Sequence, residues 1–257
     1  MKNNYSYKTL HSEIEELLLK GNINTNDLKY KITNFIESLE DINQIDDFQK
    51  IQQWFKEQQK NCVAEVTKIG LKDVRNGWKN EESTGNLVHE SGGFFSVIGV
   101  DINTAIREVK GGWKQPIVDQ GTKSSIIGVV KKNINGIFHY LFEAKFEPGN
   151  YGKVLLSPTL QVTYSNLYQA HKGKKPRFAE YFESKEKKYK VIYDHWLPED
   201  GGRFYLKRVK CMIVEIEENE LTEIPDSFRW LTLFQVKEML KVDNLVNPHV
   251  RTILSAI

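Results

Sequence analysis

Apolar residues recur at helical spacing through the first quarter of the chain, and between Thr9 and Lys60 they predict three helices. Leu10, Ile14, Leu17 and Leu18 make the stripe of the first. Leu28, Ile32, Phe35, Ile36 and Leu39 make that of the second, behind the capping candidates Asn26 and Asp27. The third runs from about Asp47 through Phe48, Ile51 and Phe55, with Trp54 beside them. A packing or dimerising role suits such a segment. After Cys62 the texture changes to short β-branched and aromatic runs punctuated by glycine: GGFFSVIGV, SSIIGVVKK, GIFHYLFEAKF and PTLQVTYSN. Arg203 to Glu217 reads as one long strand. Two helices follow, one around Leu231 to Leu240 and one opened by Pro248 at a first-turn position after Asn247.

The expected architecture is α+β, a mixed β-sheet flanked by helices. An N-terminal helical segment (1–61) is expected to pack against a sheet domain (62–257). A chain of 257 residues can bury a sizeable core. Its formal charge of +2, spread over both halves, gives no basic stripe for a nucleic acid. The two cysteines, Cys62 and Cys211, are far apart and lack metal-ligand spacing, which fits a reducing cytoplasm. The N-terminus has no apolar signal core and no run is long enough to span a bilayer, so a soluble intracellular protein is expected, with no membrane partner.

Candidate chemistry concentrates between Phe142 and His171. Alternation puts Glu143, Lys145 and Glu147 on one strand face, with Phe142, Ala144 and Phe146 on the other. Pro148 and Gly149 then end the strand, placing Lys145 and Glu147 at its terminus. Gln161, Thr163 and Ser165 are expected to share a face of the next strand, with Asn166, Tyr168 and His171 in the loop or turn beyond. Lys172, Gly173, Lys174 and Lys175 add a cationic stretch that suits a diphosphate, and Arg203, Tyr205 and Lys207 are expected on one face of the long strand, as an anion site. The bland alternatives are a solvated, ion-paired sheet face and a solvated lysine loop.

Arg107 to Pro116 superficially echoes the Nudix box of metal-dependent diphosphate hydrolases, with Gly93, Arg107, Glu108 and Val109 correctly spaced. Gly99, Gly111 and Gly112 stand where that box needs metal-binding glutamates, so metal-dependent hydrolysis is disfavoured. Trp113 and Gln115 offer an indole and an amide beside Pro116, which is expected to break the strand.

Taken together, VHESGGFFSVIGV (Val88 to Val100), Arg107 to Gln120, EPGN with SPTLQVTYSN, GRFYLKRVKCMIVE, FRWLTLFQV and RTILS resemble the NDP-hexose 2,3-dehydratase family, in order, from about Trp78 to the C-terminus. The resemblance implies a Nudix-like fold without Nudix chemistry, acting on a dTDP-linked 4-keto-6-deoxyhexose. It implies elimination of the C2 hydroxyl, a base near C3 and an acid near the C2 oxygen, with no cofactor and no metal. Glu147 and His171 are the candidates for base and acid, Lys145 for the enolate oxygen, and Tyr168 is a reserve donor. Arg107, Arg203 and Lys207 are assigned to the diphosphate and Trp113 and Gln115 to the base or sugar, with Gln161, Thr163 and Asn166 on the substrate wall. Family members carry two tandem modules and this chain has one, which implies a homodimer. Tyr164, Leu167, Leu206, Val209 and Cys211 stand where the family more often has polar or basic residues. The competing class is a catalytically silent nucleotide-sugar binding module.

Overall fold

The computed structural model describes residues 7–21, 25–106, 109–121, 125–167, 174–183 and 189–257. Its helices are α1 (Tyr7–Lys20), α2 (Thr25–Glu37), α3 (Phe48–Asn61), α4 (Tyr164–Leu167), α5 (Glu180–Glu183), α6 (Leu233–Leu240) and α7 (Pro248–Leu254). Its strands are β1 (Trp78–Asn80), β2 (Leu87–His89), β3 (Ser96–Ile102), β4 (Trp113–Asp119), β5 (Ser125–Ile134), β6 (Ile137–Phe146), β7 (Val154–Pro158), β8 (Leu160–Thr163), β9 (Lys190–Pro198), β10 (Phe204–Tyr205), β11 (Arg208–Ile216) and β12 (Phe228–Leu231). The fold is α+β, as the patterning predicts.

The main sheet runs β12-β6-β5-β11-β9, with β7 beside β6 and β8 beside β5. It is mixed, because β11 lies parallel to β5 while β6 and β9 pair antiparallel. Both faces are covered, which is why the middle of β11, Cys211 to Val214, is a continuous apolar run. Val209, Cys211 and Ile213 join one core with Ile51, Trp54 and Phe55 of α3, Leu233 and Val236 of α6, and Val250 and Ile253 of α7. Met212, Val214 and Ile216 join a second core with Phe178 and Phe182. Val209 and Cys211, together with Leu167, are therefore apolar because they are core positions.

The helices start where short polar side chains answer their unpaired amides. Asp47 accepts from the Lys50 amide at 2.9 Å, and Asn247 accepts from that of His249 at 2.9 Å. Thr232 and Gln235 form a reciprocal capping box at α6. The Gln235 amide also donates to Asp41 at 2.9 Å and to the Asp46 carbonyl at 2.7 Å, tying the loop before α3 to α6. Where α2 meets the sheet, the fully buried Lys131 ammonium lies 3.1 Å from the Tyr30 hydroxyl and 3.2 Å from Glu215. Burial lowers its pKa to about 8, against the attraction of Glu215.

One irregularity splits the main sheet. β5 pairs with β6 over Lys131–Ile134 but with β8 over Ser125–Gly128, so β5 and β6 diverge. Thr159, buried at the divergence, accepts from the Val130 amide and donates to the Leu141 carbonyl. One hydroxyl thus satisfies a donor and an acceptor at the split. The Phe142 and Gln161 strands are therefore not paired with each other: β6 pairs with β7, and β8 crosses to β5.

Three further expectations change. Arg203 to Glu217 is two strands, because Leu206 adopts a left-handed φ of 47° and ends β10. β10 pairs with β4 in the smaller sheet β1-β2-β3-β4-β10, while β11 belongs to the main one, so Arg203, Tyr205 and Lys207 share no strand face. Ser165 lies in the helical turn α4, off the strand that ends at Thr163. Pro116 stays inside β4 opposite Gly99 and does not break the strand.

Gly99, Gly111 and Gly112 fall on the β3–β4 hairpin. Gly112 has φ +83°, and a Cβ there would lie 1.8 Å from the Ile102 carbonyl oxygen. Glycine is required at that point by the backbone, and a glutamate has no room.

Candidate active site

Four segments converge beside the split in the sheet. Glu147, just past the end of β6, has one carboxylate oxygen 2.9 Å from the Gln161 amide nitrogen and 3.7 Å from the Lys145 ammonium. Its other oxygen accepts from the Asn247 side-chain amide at 3.3 Å. Lys145 also donates to the Gln161 main-chain oxygen at 3.4 Å. The carboxylate is thereby fixed by two amides and a cation while remaining about 30% exposed, so it is oriented and accessible together.

His249, in the first turn of α7, lies within electrostatic reach of this group and of a second ion pair, Lys207 to Glu199 at 3.1 Å. Burial lowers the His249 pKa from its ordinary 6.5, opposed by the Glu199 carboxylate. A neutral imidazole therefore stands ready near neutral pH. Burial raises the Glu143 carboxyl above its usual 4.5 despite Lys145 and Arg177. Burial and Glu199 push the Cys211 thiol up to about 11, leaving it protonated and unreactive. Among the described residues no group of three or more histidines, cysteines and carboxylates is placed to hold a metal ion.

The sequence-derived candidates distribute unevenly. Lys145, Glu147 and Gln161 meet in this cluster, and Lys207 joins it through His249. Thr163 and Asn166 line an adjacent cavity of about 190 Å³ with Phe94, Phe95, Gln120 and Ser165. Trp113 and Gln115 lie on β4, where the indole donates to the Gln115 oxygen at 2.8 Å and Gln115 donates to the Gly202 carbonyl at 3.0 Å. Arg203 is highly exposed and paired with Asp200 at 3.5 Å. Arg107, Tyr168 and His171 lie outside the described residues, as do Glu108, Lys172 and Gly173.

Asn247, His249 and Glu199 were missed by sequence reasoning. The Asn247-Pro248 helix start was the available signal for the first two, since a capping amide still has its nitrogen to offer. Glu199 carried none, because its closeness to Lys207 follows from the β9–β11 pairing.

A held carboxylate and an ammonium at the end of β6, with a buried imidazole on α7 nearby, are groups whose chemistry includes proton transfer. The chain belongs to the NDP-hexose 2,3-dehydratase family, whose profile matches residues 48–257. It is 44% identical over 180 residues to the dTDP-4-dehydro-6-deoxy-alpha-D-glucopyranose 2,3-dehydratase of Saccharopolyspora spinosa, covering 70% of this chain and 36% of that protein. It is 35% identical over 215 residues to the Amycolatopsis orientalis enzyme of the same name, covering 80% and 44%. The chain thus spans less than half the length of these curated relatives. The crystal structure of an ADP compounds hydrolase aligns at 12% identity and a TM-score of 0.37, over 63% of this chain and 83% of that one.

Proposed function

We propose that this chain catalyses 2,3-dehydration of dTDP-4-keto-6-deoxyglucose to a 3,4-diketo-2,6-dideoxy sugar in deoxysugar biosynthesis. Family membership and the names of its relatives support the substrate class. The observation that carries the reading is the Glu147 carboxylate, oriented by Gln161 and Asn247 beside the Lys145 cation. The C4 ketone acidifies the C3 proton. Glu147 removes that proton, Lys145 stabilises negative charge on the C4 oxygen, and the C2 hydroxyl leaves as water after protonation by His171 or Tyr168. The resulting enol becomes the diketo sugar. Oxidation states balance without a redox partner.

Lys207 and the arginines Arg107 and Arg203 are assigned to the diphosphate, and Trp113 and Gln115 remain candidates for contacts further along the nucleotide. A homodimer is proposed, in which a second copy supplies what the longer relatives carry in one chain. We place the protein in the cytoplasm. Both Cys62 and Cys211 are free thiols, and among the described residues no helix is long and apolar enough to cross a membrane. The chain's coverage of its relatives favours one other reading, a silent nucleotide-sugar binding module. Incubation with dTDP-4-keto-6-deoxyglucose, trapping by a 3-ketoreductase with NADPH and mass spectrometry separates the two, because only the enzyme removes one water.

A further inference from the structure

Between α3 and β1 the chain runs through residues 63–69 without helix, strand or turn, flanked by extended backbone at Cys62 (ψ 102°) and Gly70 (ψ 146°). Val63, Val66, Thr67 and Ile69 are β-branched, the residue class that favours strands. Among the described residues, the backbone amides and carbonyls of this arm have no hydrogen-bond partner. Its apolar side chains face outward: Val63 is 98% exposed, and Val66 and Ile69 are more than half exposed. A strand-forming segment is therefore present without a strand to pair with. The main sheet offers the complementary feature. β9 is its edge, paired with β11 on one side and with no described strand on the other. A register shift leaves Ile192 unpaired, so residues 193–198 form the regular part of that edge. Trp196 stands on it 41% exposed. Cys62, where the arm begins, packs against the same core as Tyr193 and Leu197 of β9, which roots the arm in the body that carries the edge.

Resting on the homodimer reading above, we infer that residues 63–69 add as a strand to the β9 edge of a second copy of this chain, and that the exchange is mutual. At about 3.3 Å per residue the arm spans about 23 Å and the regular edge about 20 Å, so the two match in length. Strand addition pairs main-chain groups that each chain alone leaves open, and it covers Trp196 together with the apolar side chains of the arm. The chain carries both halves of the contact, so it is complementary to itself. A two-fold arrangement makes the contact twice and leaves neither arm nor edge over, which favours a second copy above an unrelated strand. The coverage of the curated relatives agrees, since this chain spans 36% to 45% of their length and a second copy supplies a comparable mass of protein.

The test is sedimentation and amide hydrogen exchange of the full chain over a concentration series. The expected result is a dimer in which amides of residues 63–69 and of residues 193–198 exchange at least about tenfold more slowly than in the diluted monomer. Both stretches should lose that protection together on dilution. Val66→Asp combined with Ile69→Asp places two carboxylates in the shared sheet, and should raise the dimer dissociation constant at least about tenfold and expose both stretches. Both side chains are exposed in the single chain, so circular dichroism should be unchanged. Should that variant fail to fold, the wild-type exchange pattern decides by itself. A dimer that protects the arm alone is paired arm to arm, and one that protects β9 alone is paired edge to edge. Either pattern, or a dimer whose arm exchanges freely, overturns this inference and leaves the homodimer standing. A chain that stays monomeric overturns both.

Discussion

Asn247 at the start of α7 donates its side-chain amide to Glu147 across 100 residues of chain, at 3.3 Å, while its oxygen caps its own helix. One side chain therefore links the placement of a helix to the aim of the proposed base. Asn247→Ser keeps a capping oxygen but loses the reach to Glu147. Its stability should stay within about 1 kcal/mol of wild type, since serine and asparagine cap comparably. Its kcat/KM should fall at least about tenfold, the usual scale for a hydrogen bond to a charged group. Asn247→Ala should lose stability as well. Thermal denaturation alongside steady-state kinetics separates the two effects, and a fully active Asn247→Ser chain would show that the link plays no part in turnover.

Glu147→Gln should preserve the contacts' shape and abolish the basic carboxylate. Turnover should drop on the order of 10²–10⁴-fold with an unchanged circular dichroism spectrum. The same is expected of His171→Asn as proposed acid. If both retain wild-type rates, the site is elsewhere.

His139 is buried, accepts from the Gln44 amide at 3.2 Å and donates to the Ile137 carbonyl at 3.1 Å. This fixes a neutral tautomer, and burial lowers its pKa from 6.5. The unfolded chain therefore binds a proton more readily than the folded one as pH falls through 6.5, and stability declines below that value. Urea unfolding between pH 7.5 and 5 should show the decline, and His139→Gln should make it shallower, with the remaining slope carried by His249, whose pKa burial also lowers. An equally steep decline in that variant would assign the effect to other groups.

The β3–β4 hairpin depends on Gly112. Gly112→Ala places a methyl group against the Ile102 carbonyl in a left-handed backbone, and should cost at least about 1 kcal/mol. Limited proteolysis should show faster cleavage near Gly111 in this variant; an unchanged rate would mean that the hairpin tolerates the residue.

The helices were legible where caps and apolar spacing agreed, as at Asn247-Pro248 and along Ile51, Trp54 and Phe55. β11 was legible as a strand but its start was not. Nothing in Phe204-Tyr205-Leu206-Lys207 announces that Leu206 turns left-handed and that the chain changes sheets there. Half of the carboxylate cluster was visible because Lys145, Glu147 and Gln161 lie close in sequence. The other half, Asn247, His249 and Glu199, is brought in by the docking of α7 and the pairing of β9 with β11, which no local pattern encodes. The Gly112 position was read as a lost carboxylate, whereas its physical cause is the tight approach to Ile102.

The central claim is that a carboxylate held by Gln161 and Asn247 drives loss of water from a 4-keto sugar nucleotide. Purified chain incubated with dTDP-4-keto-6-deoxyglucose, coupled to a 3-ketoreductase and NADPH, tests it by mass spectrometry. The account predicts a trapped product lighter by one water before reduction, formed by the wild type and not by Glu147→Gln. Unchanged substrate with the wild type, or equal product from Glu147→Gln, would contradict it.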